Sequence, residues 1–178
     1  MDTSNINASK VTTNGGIHLG EKSAPVKVIE FINLNCPFCK QWWEESAAVL
    51  DPYVADGKVE RIVKLFDKEK PGLRKGNVIH HLLDYNDPVK TKEDIEYFLA
   101  QQQEWGKLEE SAVAEYAMTK RSLTDQNNKT EAGRIITEAS EANVTLVPSV
   151  FIGEFIFDEH ITNEELTEMI ETKLVRGN

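Results

Sequence analysis

The spacing of apolar and polar positions changes period several times along this chain, and each change marks an element. Val26-Lys27-Val28-Ile29-Glu30-Phe31-Ile32 is a dense apolar run rich in β-branched and aromatic residues, the pattern of a buried strand. From Lys40 to about Ala55 the apolar residues Trp42, Trp43, Ala47 and Leu50 recur at three- and four-residue steps, which predicts a helix ending near Asp56-Gly57. Val59 to Phe66 predicts the next strand. A strand–helix–strand unit of this kind implies a parallel pair.

Between Pro71 and about Asn143 the pattern turns helical. Val78, Ile79, Leu82 and Leu83 mark one helix; Thr91-x-Glu93-Asp94 starts another through Ile95, Phe98 and Leu99; Leu108 to Met118 is a third and Thr130 to Ala142 a fourth. Asp87-Pro88, Gly106 and the polar run Thr124 to Lys129 punctuate them. Strand patterning returns at Val150 to Ile152 and, after a Gly153-Glu154 turn, at Phe155 to Phe157. A closing helix has Thr162 as N-cap with Glu165 three residues on, a capping box. Residues 1–25 are polar with turn signals at Asn14-Gly15-Gly16, an arm or a short edge hairpin.

With 178 residues, 40% of them hydrophobic, the chain is read as one domain with a sizeable core. The net charge of −10 argues against nucleic acid or an anionic membrane as partner. No stretch approaches the roughly 20 apolar residues of a membrane span, and Met1 to Lys10 lack the apolar core of a signal peptide. The expectation is a cytoplasmic monomer; the alternative is an exported protein whose signal lies outside this chain. Three glycosylation sequons, at Asn7, Asn128 and Asn143, are read as chance matches.

Reactive chemistry concentrates at Cys36-Pro37-Phe38-Cys39, where the first strand gives way to the first helix. Pro37 suits the first helical turn, which has no use for its missing N–H. A spacing of three sets the two side chains one turn apart, roughly 5–6 Å between Cβ atoms, so little adjustment separates them from disulfide geometry. Cys36 lies at the positive end of the helix dipole, among N–H groups without intrahelical partners, which favours thiolate. Cys36 is therefore the expected nucleophile and Cys39 the resolving cysteine. A structural zinc would need four ligands; the chain has no other cysteine, and His18, His80, His81 and His160 have no zinc-finger spacing. As neighbours on a helix, His80 and His81 should diverge and fail to face one ion. No metal is expected, and inert structural cysteines are the remaining alternative.

The order strand, C-P-F-C, helix resembles the active site of the thioredoxin superfamily, and most closely the DsbA-like thiol–disulfide oxidoreductases found in Gram-positive bacteria. Ala24-Pro25-Val26 with Glu30-Phe31 resembles that family's entry strand, with an acid six positions before the first cysteine. Val144-Thr145-Leu146-Val147-Pro148-Ser149-Val150-Phe151-Ile152-Gly153 resembles its cis-proline loop and following strand. The likeness implies an α/β thioredoxin-like fold, a mixed sheet flanked by helices, with residues 71–143 as an inserted helical subdomain on one side of the cleft. It implies that Glu30 assists proton transfer at Cys39, that Pro148 is cis, and that Pro37, Phe38, Val147 and Pro148 meet an extended substrate chain. Substrates would be cysteine pairs or mixed disulfides of proteins or small thiols, with a redox partner and no cofactor beyond the cysteines themselves. Phe38 departs from the histidine of the best-known periplasmic oxidases, so a Cys36 thiol less acidic than theirs is expected.

Other residues carry weaker expectations. Glu30, alone among apolar neighbours, would hold its proton near neutrality. One of Trp42 and Trp43 should be buried and the other partly exposed near the cleft. His80 and His81 are packing or surface residues, and Asp158-Glu159 a solvated acidic face. Two other functions remain open: a glutathione-dependent transferase or isomerase on this fold, against which Cys39 argues, and a redox-inactive peptide-binding or chaperone module.

Overall fold

The computed structural model describes residues 2–176. A short 3-10 turn (Ala8–Lys10) precedes β1 (Ile17–Leu19), β2 (Val26–Ile32), α1 (Pro37–Ala55) and β3 (Val59–Leu65). Five helices follow: α2 (Arg74–His80), α3 (Pro88–Ala100), α4 (Gln102–Trp105), α5 (Glu110–Arg121) and α6 (Lys129–Glu141). The chain closes with β4 (Ser149–Ile152), β5 (Phe155–Phe157) and α7 (Asn163–Arg176).

The strands form one sheet in the order β1-β3-β2-β4-β5. The central β2 pairs parallel with β3, Val26 opposite Val59 through Ile32 opposite Leu65, as the strand–helix–strand pattern implies. It pairs antiparallel with β4, Glu30 opposite Val150. β4 and β5 are joined at Gly153-Glu154, where Gly153 takes a φ of +59° that glycine adopts at no steric cost. The expected arm or hairpin in residues 1–25 is instead a single edge strand, β1, antiparallel to β3.

Alternation along β2 divides the core. Val26, Val28 and Ile32 face the side that also holds Trp42, Trp43 and Leu50 of α1 and Leu166 and Ile170 of α7. Ile29 and Phe31 face the other side, against Ile135 and Ala139 of α6, with Phe31 edge-on to Phe66 and Phe151 at 6.1 and 5.9 Å. Both faces are covered, the condition under which a central strand reads as a continuous apolar run.

Several boundaries move. α3 starts at Pro88, capped by the Asp87 carboxylate on Lys90 N (3.1 Å), because proline suits the first helical position. The Asp87-Pro88 pair thus opens a helix rather than merely separating two. α2 ends at His80, leaving Leu82 and Leu83 buried in the following turn. The four-residue α4 is too short to show a period. At α7 the capping box forms as expected, Glu165 N donating to Thr162 Oγ1 (3.2 Å) and Thr162 N to the Glu165 carboxylate (2.9 Å).

Candidate active site

Cys36 is the N-cap of α1, with extended backbone (φ −90°, ψ 120°) and Pro37 following. Cys39 lies one turn further in. Cys36 is 4% exposed and Cys39 not at all; both are thiols. The Cys36 thiol lies 3.4 Å from the carbonyl oxygen of Val147, and the Val147–Pro148 peptide is cis, as the resemblance implies. Pro37 and Phe38 are exposed, Phe38 by 54%, and Leu146 beside Val147 by 56%. The Cys36 thiol thus sits between exposed apolar groups from the start of α1 and from the loop before β4.

The two thiols are made unequal by their surroundings. A hydrogen bond from the Cys39 thiol, aided by the Cys39 and Phe38 N–H groups of the first helical turn, lowers Cys36 to about 7 despite its burial. Burial pushes Cys39 well above the ordinary thiol range, although Asn33 N donates to its sulfur at 3.4 Å. At neutral pH Cys36 is about half thiolate and Cys39 remains a thiol.

A thioredoxin family model matches residues 12–172. The chain belongs to the thioredoxin family. A solved structure described as a conserved protein of unknown function from Enterococcus faecalis V583 is similar over 96% of this chain and 98% of its own, at 49% identity and a TM-score of 0.94. BdbD from Bacillus subtilis, in its oxidised form, shares the fold, with a TM-score of 0.70 at 18% identity over 92% of this chain and 95% of its own. The thiol:disulfide interchange protein DsbG of Escherichia coli (strain K12) is 34% identical over 80 residues. That match spans 43% of this chain but only 29% of DsbG. A cytoplasmic location finds no support among these relatives. Among the described residues no helix is long and apolar enough to cross a membrane.

In this thioredoxin-family chain the four residues before the helix are held from outside by α2, α4 and their flanking turns. Asn33 Nδ2 donates to Phe66 O (3.2 Å) and Asn77 Oδ1 (3.1 Å), and Asn33 Oδ1 accepts from Asn35 N (2.9 Å). Leu34 N donates to His80 Nε2 (3.3 Å). Asn35 Nδ2 donates to Gly72 O (2.8 Å). Gln102 Nε2 donates to both Leu34 O (2.7 Å) and Cys36 O (2.9 Å). The approach is close enough that a Cβ on Gly76 would stand 2.2 Å from Asn33 Oδ1, so glycine is required there.

Sequence reasoning treated His80 and His81 as divergent packing residues, but both reach Asp67. His80 Nδ1 meets Oδ1 at 2.7 Å and His81 Nε2 meets Oδ2 at 2.8 Å. They converge because α2 ends at His80 and because one carboxylate offers each ring its own oxygen. His80 is neutral: its Nε2 accepts from Leu34 N, so Nδ1 carries the proton given to Asp67, and burial lowers its pKa. The same two rings hold Asp67 down at about 2, against its partial burial.

Three further expectations are corrected. Glu30 is fully buried but not alone: Arg61 donates from Nε to Oε1 (2.7 Å) and from Nη2 to Oε2 (2.9 Å), and Trp42 Nε1 donates to Oε2 (2.7 Å). Arg61 stands on the same sheet face, from β3, and no spacing within β2 could announce it. Trp42 and Trp43 are both buried; Trp43 lies under the Arg61 guanidinium at 4.2 Å and Trp42 edge-on to Phe157 at 5.7 Å. Asp158 and Glu159 are buried rather than solvated, and the charge of Glu159 raises both cysteine thiols. With His160 they bring ligand-type atoms within 4.8 Å of one another, His160 Nδ1 lying 2.9 Å from Asp158 Oδ1.

Proposed function

We propose that this chain is a thiol–disulfide oxidoreductase working through the Cys36–Cys39 pair, with no cofactor beyond those sulfurs. The asymmetry of the two thiols carries the reading: an N-cap cysteine titrating at about 7 beside a buried cysteine that keeps its proton. In the reducing direction the Cys36 thiolate attacks a substrate disulfide, forming a mixed disulfide and expelling one substrate thiolate. That thiolate takes the proton of Cys39. Cys39 then attacks Cys36 Sγ, closing the enzyme disulfide and releasing the second substrate thiolate, which solvent protonates. Two electrons and two protons pass to the substrate; the oxidising direction reverses each step.

Val147, Pro148, Pro37 and Phe38 are the proposed substrate surface. The Val147 backbone beside Cys36 offers strand-type pairing to an extended polypeptide, and exposed Phe38 and Leu146 supply apolar contact. Substrates are therefore protein or small-molecule thiols and disulfides, and a redox partner returns the Cys36–Cys39 pair to its starting state after each turnover. Glu30 acts here as the anchor of Arg61 and Trp42 rather than as a proton shuttle, because protonating it would strand the buried Arg61 charge. The compartment follows from the potential: a value near about −250 to −270 mV suits a reductant in a reducing compartment, one near about −120 mV an oxidant outside it.

The test is equilibration of the pair with glutathione buffers, followed by mass, together with reduction of a disulfide-bonded protein. Cys36→Ser should abolish exchange, and Cys39→Ser should accumulate a mixed disulfide at Cys36. Failure of any disulfide to form across the glutathione range would sink the reading.

A further inference from the structure

The geometry points to Gln102 as the positioning residue that holds the nucleophile of this redox centre, a role that rests on the function proposed above. Its carboxamide Nε2 sits between the carbonyls of Leu34 and Cys36, at 2.7 and 2.9 Å. Two acceptors there demand the NH2 end of the amide, whose two hydrogens each meet one carbonyl. The side chain never touches a reacting sulfur. It fixes the Leu34–Asn35 peptide plane and the one leading out of Cys36, whose carbonyl also accepts the first helical bond from Lys40 N (3.1 Å).

That placement matters because the thiolate of Cys36 depends on direction. The Cys39 thiol and, after it, the Cys39 and Phe38 N–H groups stabilise it only while the Cys36 side chain stays over the open end of α1. Cys36 is an N-cap without a side-chain capping bond of its own, so the backbone around it is held by other residues. Gln102 is itself anchored: its main-chain oxygen accepts from Gly106 N (2.9 Å), and Gly106 O accepts from Lys75 Nζ (2.9 Å). The helices between β3 and β4 thereby reach the nucleophile through one carboxamide.

The test compares Gln102→Met, which keeps length and bulk but removes both donors, with Gln102→Glu, which sets a carboxylate against two carbonyls. The rate of Cys36 alkylation by iodoacetamide is followed from pH 5 to 9 in the full chain, beside a thermal melt. In Gln102→Met the profile should move up by about one pH unit, lowering the rate at pH 7 about five-fold as the thiolate fraction falls from about a half to about a tenth. Gln102→Glu should move at least as far, since it adds a negative charge. Profiles that superimpose on the unaltered protein, whatever the melting temperature does, overturn the inference. Should the variants not fold, the Gln102 side-chain amide signals of the unaltered protein decide it by NMR. They should shift with the Cys36 titration midpoint, and signals flat through that midpoint overturn it equally. If the unaltered protein exchanges no disulfides while the variants still displace the Cys36 profile, the redox reading falls and the positioning role stands.

Discussion

Replacing Glu30 by glutamine removes the formal negative charge hydrogen-bonded to the Arg61 guanidinium, which is itself buried. Arg61 and Trp42 together send three N–H donors to two carboxylate oxygens, at 2.7, 2.9 and 2.7 Å. A glutamine keeps one oxygen and puts an NH2 where the other stood, so donor faces donor on one side or the other. The Arg61 guanidinium has little with which to compensate: its Nη1 already lacks a hydrogen-bond partner, and Asp51 Oδ1 stands 4.0 Å away. Breaking a buried pair by removing one partner costs about 3–5 kcal/mol. For a domain of this size each kcal/mol moves the melting temperature about 2–4 °C, so the loss should be about 6–20 °C.

The second arm removes both charges. Glu30→Leu combined with Arg61→Met strands no ion, leaving chiefly the Trp42 N–H without its acceptor, at about 1–3 kcal/mol. The double variant should therefore be more stable than Glu30→Leu alone, although it carries one more substitution. Thermal and urea unfolding followed by far-ultraviolet circular dichroism measure all the proteins on one scale. A Glu30→Gln cost below about 1 kcal/mol, or a double variant whose loss equals the sum of its singles, would refute the argument that the pair is held together by mutual need.

The Asp67 carboxylate, held down at about 2 by His80 and His81, contributes stability that is present above its unfolded value near 3.8 and lost as pH falls through its folded value. Asp67→Asn should then lose less of its urea midpoint between pH 4 and pH 2 than the unaltered protein; parallel losses would contradict this. Phe38→His places a donor and a titratable positive charge beside Cys36, so Cys36 should titrate below about 7 and the pair become more oxidising in glutathione equilibration; an unchanged potential would count against it. Gly76→Ala drives a methyl to 2.2 Å from Asn33 Oδ1 and should cost about 1–3 kcal/mol by overpacking, visible as a lowered melting temperature; an unchanged melt would mean that α2 yields more easily than its contacts suggest.

The parts of this molecule legible in its sequence are those whose causes are local. The run Val26 to Ile32, the proline after Cys36 and the three-residue cysteine spacing each act within one element, and the strand, the helix start and the thiol pair follow from them. The capping box at Thr162 is legible for the same reason. The parts that escape depend on a partner far along the chain. Glu30 reads as a lone acid because Arg61 lies 31 residues away, on a strand whose register only the fold decides. Asp158 and Glu159 read as a solvated face because charge alone cannot show what covers them.

The residues before Cys36 carry this contrast furthest. A strand-to-helix turn of four residues has more peptide groups than it can pair within itself, and buried peptide groups require partners. In this fold His80 accepts from Leu34 N and Gln102 donates to Leu34 O and Cys36 O, while Asn77 holds the Asn33 side chain; none of the three has the composition or spacing of a reactive motif. In the proposed function the C-x-x-C signature names the atoms that react. The helices between β3 and β4 decide how rigidly the reacting thiol faces the open end of α1, and hence how much thiolate it holds at neutral pH. Substitutions there should therefore change the redox behaviour of the pair without altering any residue of the motif, which the Gln102 titration measures directly.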